Sequence, residues 1–334
     1  MYSWGNDTST WKKPKDYKYD SAKAPYLNDF KKEAEGKGPK SYSSKKGPNL
    51  QLVDPLGKNI YTESENPIFF WIDGTGSMAK RPEWTFDRSP LLYQTLVQYR
   101  QDVEICFGVI GDAKYDKWPT QVGNIGKGPA LDDVLKALHA EGKGGPGIRE
   151  SYELAAYFMN EHVQTPKAVA PFLFILGDEK FYDQISPEEV KKVFGDKLQG
   201  PVDSMQVWKA LASKYDLYFL RKNFEGRDEE IITQWKEAVG PQKVIDVPYG
   251  SSMEEDRVID VALGIVAKTW GNYSNFLNNL SARQDSKTIA KVEESIRAAP
   301  IVEEVGDMKS KYKGNSGAKK SKLDQQISKN LMVS

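Results

Sequence analysis

Cysteine is nearly absent from this chain of 334 residues: Cys106 stands alone, inside an apolar run, so no internal disulfide framework holds the fold together. That usage fits a reducing compartment, and a cytoplasmic location is the expectation. Histidine is scarce too. His139 and His162 both fall in helical stretches, without Asp or Cys at zinc-ligand or catalytic spacing. Net charge is missing as well, with Lys+Arg 47 against Asp+Glu 47, so nothing global advertises nucleic acid or an anionic membrane. No stretch approaches the ~18 apolar residues of a membrane-crossing helix. Residues 1–7 carry no apolar signal core, so the chain reads as unexported. Phosphate loops are lacking: Gly123-Asn124-Ile125-Gly126-Lys127-Gly128 has no Gly-Lys-Ser/Thr after a clear strand, and the glycines of 142–147, though spaced Gly-x-Gly-x-x-Gly, follow the helix expected at 130–140 and not a strand. No nucleophile and base stand together. The expectation is a protein that is not an enzyme.

What is there is a core diluted by polar ends. Hydrophobic residues make up 39% and aromatics 11%, yet the mean hydropathy is −0.61. Residues 1–49 form a polar arm rich in Lys, Gly, Pro and Ser, such as Lys12-Lys13-Pro14-Lys15, which buries too little surface to offset its ordering entropy. Trp4, Trp11, Tyr17, Tyr19, Tyr26 and Tyr42 are interleaved with it, a mixture that suits a solvated arm or a nucleic-acid contact. Residues 301–334 read as a disordered basic tail, and 276–300 as a helical extension. Between them, over 50–275, strands and helices alternate. Strands are predicted at 68–73, 103–110, 120–122, 169–176, 217–220 and 243–247. Helices are predicted at 88–101, with Ser89 as cap and Pro90 first, and at 130–140, 148–163, 187–195, 204–215, 228–239 and 254–270. This alternation predicts an α/β fold with a doubly wound, mostly parallel sheet and helices on both faces.

One stretch organises the rest: Pro67-Ile68-Phe69-Phe70-Trp71-Ile72-Asp73-Gly74-Thr75-Gly76-Ser77-Met78. An apolar run ends on Asp73, and the chain then turns through two glycines that carry Thr75 and Ser77 at alternate positions. Such a strand end is where ligands bind in open α/β sheets. One carboxylate and two hydroxyls are hard oxygen donors suited to Mg²⁺ or Mn²⁺. Phe172-Leu173-Phe174-Ile175-Leu176-Gly177-Asp178 is a second apolar strand delivering an acid at its end.

Asp-x-Thr-Gly-Ser-Met after an apolar strand resembles the metal-ion-dependent adhesion site (MIDAS) of von Willebrand factor A (vWA) domains, whose Rossmann-like fold is the one the alternation predicts. The resemblance covers about two thirds of the chain and is to the prokaryotic, intracellular type. It implies that Asp73, Thr75 and Ser77 hold Mg²⁺ (or Mn²⁺/Ca²⁺) directly and Asp178 through water. It also implies a Gly-rich loop that supplies a threonine, and here the chain departs. In Gly142-Lys143-Gly144-Gly145-Pro146-Gly147 no threonine is present, and Glu150 or Ser151 is the candidate substitute; Glu150 also suits the first turn of a helix. Asp112, at the end of the second long strand, either orients a coordinated water or serves its own turn. The implied function is a protein-binding adaptor that recognises a partner carboxylate, with MoxR-type AAA+ ATPases as a partner class and with movement of the rim loops 74–86 and 143–150. Two other readings stay open: an RNA-associated protein using its tails, and a metal-dependent hydrolase or phosphatase.

Overall fold

The computed structural model describes residues 47–128, 130–222, 228–250 and 255–302. The arm at 1–49 and the tail at 301–334 therefore lie almost wholly outside the described residues. The central sheet has six strands: β1 (Pro67–Asp73), β2 (Glu104–Ile110), β3 (Thr120–Val122), β4 (Phe172–Gly177), β5 (Asp216–Arg221) and β6 (Val244–Asp246). Their order in space is β3-β2-β1-β4-β5-β6, with β3 antiparallel at one edge and every other pairing parallel. The chain thus starts in the middle, builds outward to one side, and returns to build the other. This is the doubly wound arrangement, and the crevice where its direction reverses lies between β1 and β4.

Residue alternation explains why the strands read as unbroken apolar runs. Along β1, Ile68, Phe70 and Ile72 face one layer of helices, α1 (Arg81–Tyr99), α2 (Ala130–Ala137), α7 (Val258–Thr269), α8 (Tyr273–Ser281) and α9 (Ser286–Ser295). Phe69 and Trp71 face the other layer, with α3 (Tyr152–Glu161), α4 (Pro187–Val193), α5 (Ser204–Lys214) and α6 (Asp228–Val239). Both faces of the sheet are covered, so neither carries a polar stripe. Phe276 and Leu280 of α8 and Val292 and Ile296, in and just after α9, are buried in the same cluster as α1 and α7, so 276–300 packs into the core. No helix among the described residues is long and apolar enough to cross a membrane.

Three local readings need correction. The helix expected over 88–101 begins at Arg81, with Pro82 in its first turn and Pro90 in its interior. An interior proline costs about 3 kcal/mol, and buried tethers offset it. Arg81 Nε donates to Asp256 Oδ2 at 2.7 Å, and two turns on Arg88 donates to Asp260 Oδ2 at 2.8 Å. The helix expected from 148 starts at Tyr152; Arg149–Glu150 instead pairs in parallel with Lys180–Phe181. Glu150 is therefore extended and not in a helical first turn. His162 also has an acid partner, Asp196, with Nε2 2.6 Å from Oδ2. Tyr157 donates to the same oxygen and Phe158 stacks on the imidazole, an aromatic packing arrangement with no nucleophile.

Candidate functional site

β1 and β4 end side by side, and their ends deliver Asp73 and Asp178 to the crevice. Both are fully buried. After β1 the chain turns tightly, and Asp73 Oδ1 accepts from the Thr75 amide at 2.8 Å and from Thr75 Oγ1 at 2.6 Å. Thr75 Oγ1 lies 3.2 Å from Ser77 Oγ, which donates to Asp178 Oδ1 at 2.8 Å. The four side chains singled out in the sequence thus form one continuous relay, carboxylate to hydroxyl to hydroxyl to carboxylate, across the crevice.

Three participants were not foreseen. Tyr152, at the start of α3, donates its hydroxyl to Asp73 Oδ2 and accepts from the amides of Asp178 and Glu179 at 3.3 and 3.4 Å. It is held edge-on against Trp235, whose Nε1 donates to the Glu179 carbonyl at 2.8 Å. Gly177 is required here: a Cβ on it would sit 2.2 Å from the Tyr152 hydroxyl. Lys222, one residue past β5, reaches back with its ammonium 3.4 Å from Asp178 Oδ2 and donates to the Ser77 carbonyl. Glu179 is buried with its Oε2 lacking any partner among the described residues. A sequence signal exists for Glu179, which follows Asp178 directly; the contacts of Tyr152 and Lys222 depend on which strands are neighbours.

The Gly-rich loop does approach the site, but through Gly142 to Gly144. The Gly76 amide donates to the Lys143 carbonyl at 2.5 Å, and the Gly142 amide to the Gly74 carbonyl at 2.9 Å. Gly144 has φ +107, and a Cβ there would lie 3.1 Å from Thr75 Cβ and 2.4 Å from Glu150 Oε1. A threonine at this point has neither the backbone nor the room. The space beside Thr75 belongs to Glu150, which is 1% exposed and whose Oε2 has no hydrogen-bond partner among the described residues. Ser151 is turned elsewhere, accepting the Ala113 amide at 2.9 Å. Asp112 is engaged in its own turn, with Oδ1 on the Lys114 amide at 2.8 Å and Oδ2 accepting from the Tyr182 hydroxyl at 3.0 Å. Asp116 braces the glycine loop, accepting the Gly144 amide at 3.1 Å.

Electrostatically the crevice is crowded with acid. Burial, and then Asp178 beside it, pushes Asp73 up to about 7 against the pull of Thr75 and Tyr152. Burial, followed by Asp73 and Asp178, raises Glu179 to about 8. Burial, then Asp73 and Glu179, raises Glu150 to about 11. Asp178 is raised by burial despite Lys222 and Ser77. Among the described residues, one ammonium lies within 4 Å of these carboxylates, that of Lys222 beside Asp178. Among the described residues no three His, Cys, Asp or Glu side chains converge to grip a metal. The donor set at the crevice is instead two carboxylates joined by two hydroxyls.

The sign of the pH dependence follows. Each raised acid binds its proton more tightly folded than unfolded, so its contribution to stability is complete below the unfolded value, about 4, and is lost as pH rises through the folded value. For Asp73 and Glu179 that window runs from about 4 to about 8. Chelator-treated protein is therefore expected to unfold at lower temperature at about pH 8.5 than at about pH 6, and Mg²⁺ to recover much of the difference at the higher pH. Calorimetric scans at the two pH values check it; a flat profile between them counts against the buried acid cluster.

Tyr152 offers a second test. Tyr152→Phe keeps the ring against Trp235 and removes the hydroxyl shared by Asp73 and the Asp178 and Glu179 amides. Loss of a group that orients ligands weakens metal binding roughly 10–100-fold. If the crevice holds Mg²⁺ or Mn²⁺, titration of that ion into the variant is expected to show a drop of that size, with the fold retained.

No family model matches this chain, and no curated protein matches it. Among solved structures it is similar to the pilus adhesin SpaC from Lactobacillus rhamnosus GG in two crystal structures, each at 13% identity and covering 66% of this chain. The TM-scores are 0.43 and 0.44, the second for an open conformation, and the match spans 32% and 31% of those chains. A likeness of that size carries no inference for this protein. Its fold and site define a doubly wound α/β protein with an acidic, hydroxyl-bridged crevice at its switch point.

Proposed function

We propose that this chain is a vWA-type module whose crevice binds a divalent cation and, through it, a carboxylate of a protein partner. The observation that carries the reading is the relay from Asp73 through Thr75 and Ser77 to Asp178 at the switch point, set beside two buried acids, Glu150 and Glu179, each with one oxygen that has no hydrogen-bond partner among the described residues. A buried carboxylate without a partner is costly unless it is neutralised or coordinates a cation. The donors fit Mg²⁺, a hard ion that takes carboxylate and hydroxyl oxygens. Thr75, Ser77, Asp73 and Asp178 would hold it, with the buried carboxyl of Glu150 close by on the far side of Gly144.

A bound Mg²⁺ supplies a positively charged coordination position for a carboxylate oxygen. The protein's own residues do the rest. Tyr152 fixes both strand ends at once, Trp235 fixes Tyr152, and Asp116 holds the glycine loop against Thr75. We read this as recognition without bond cleavage. An adaptor in a larger assembly, of the kind that works with MoxR-type AAA+ ATPases, is the role we infer. The test is calorimetric titration of Mg²⁺ and Mn²⁺ into chelator-stripped protein. Saturable binding of one ion per chain supports the reading, and absence of binding by either ion overturns it.

A further inference from the structure

Beside the crevice, between the β6 edge of the sheet and α9, lies a cavity of about 820 Å³ whose lining includes Lys222, Val247, Pro248, Tyr249, Lys287 and Lys291. We propose that this groove receives an acidic segment of the partner, so that one of its side chains reaches the crevice while others pair with Lys287 and Lys291. The proposal rests on the carboxylate-recognising reading above and extends it to the chemistry of the bound chain.

The charges point to an anion. Lys287 and Lys291 are exposed, and neither ammonium has an ion-pair partner among the described residues. The two acids in the lining are already engaged, Asp246 by Arg221 at 2.6 Å and Glu294 by Arg297. Lys222 belongs to both places, lining the groove while its ammonium stands 3.4 Å from Asp178. The groove and the crevice are thus continuous through one side chain.

Shape and spacing point to a peptide. The volume is of the size that takes a ligand of several residues and far exceeds one phosphate group, given that such sites run roughly 300–1,000 Å³. Lys287 and Lys291 are one helical turn apart, which separates their Cβ atoms by about 5–6 Å. Alternate residues of an extended chain lie on one side about 7 Å apart. Acid-x-acid therefore matches the lysine pair. Val247, Pro248 and Ala290 add apolar lining for the methylenes between, and Tyr249, 47% exposed and stacked on Trp84, lines the same groove.

The test uses a fluorescein-labelled hexaglutamate peptide and the full chain with Mg²⁺, with inorganic triphosphate as competitor. Lys287→Glu with Lys291→Glu, both on an exposed helical face, is expected to weaken peptide binding about tenfold or more, a loss of about 1.4 kcal/mol per decade, while thermal unfolding stays unchanged. Binding should fall as salt rises. Equal binding by the double variant overturns the groove. So does triphosphate displacing the peptide at concentrations where unlabelled hexaglutamate fails, since the site then prefers phosphate. Asp73→Ala separates the two readings. Binding lost in Asp73→Ala but kept in the lysine variant overturns the groove and leaves the crevice; the reverse pattern leaves the groove and overturns the crevice.

Discussion

On the proposed reading, in which the unaltered chain binds one ion, Asp73→Ala is expected to abolish saturable binding of Mg²⁺ and Mn²⁺. Asp73 is the end of the relay and its most constrained member. One oxygen takes two hydrogen bonds from Thr75 and the other takes the Tyr152 hydroxyl. Removing the carboxylate removes a donor and also frees Thr75 Oγ1 from the orientation that brings it within 3.2 Å of Ser77. The effect should therefore exceed the roughly 10–100-fold cost of losing a supporting group. Asp73→Asn is the companion. It keeps nearly the same shape, so loss of metal binding with unfolding unchanged assigns the effect to charge and not to packing. Calorimetry with both variants decides. Retention of full affinity by either one removes Asp73 from the site.

Asp260→Ala is expected to destabilise the protein by about 3–5 kcal/mol, the usual cost of stranding a buried charge. Asp260 is fully buried at the start of α7 and meets Arg88 of α1 at 2.8 Å, Arg283 at 3.1 Å and Arg257 at 4.0 Å. Burial alone would raise its pKa, yet the surrounding guanidinium groups, Arg88 foremost, hold it below the usual carboxylate value. Its stabilisation is therefore present above the unfolded pKa and is lost only as acid protonates it. Truncation removes the carboxylate that these three guanidinium groups share. At 2–4 °C per kcal/mol for a domain of this size, the unfolding temperature should fall by about 10 °C. Denaturant titration with an unchanged slope would place the loss in the folded state. A shift within about 0.5 kcal/mol, the range of an ordinary surface substitution, would contradict the network.

The parts of this site that lie close together in the chain were legible in the sequence. Asp73, Thr75 and Ser77 sit on one turn, and an apolar strand before them fixes where that turn must emerge. Asp178 was legible by the same logic applied to a second apolar run. Tyr152 and Lys222 were not, because their contacts depend on which strands are neighbours. Lys222 reaches Asp178 only because β5 lies next to β4, and Tyr152 reaches Asp73 only because α3 crosses beneath β1 and β4. Periodicity does not report neighbours. The start of α1 was misplaced for a different reason. Pro90 reads as a first-turn residue, and local propensity gave no hint that Arg81 and Arg88 would anchor the helix to a segment far along the chain. Likewise Gly144 in the sequence is only a glycine; its positive φ and its closeness to Thr75 and Glu150 come from the fold.

The loop from Gly74 to Lys80 is short and fastened at both ends. Before it stands β1, paired on both sides; after it, Arg81 is locked by Asp256 and the carbonyls of Val247 and Pro248. Residues 81–86, expected to travel with the rim, are instead the first turns of α1. A chain held this way surrenders little freedom on binding. An incoming acidic side chain would meet donors already in place, so the entropy that a floppy loop forfeits on docking would here have been spent during folding. Affinity for a partner should then respond to the stiffness of α1 as much as to the crevice itself, and a weakening of the Arg81 anchor would show as slower, looser capture with every donor still present.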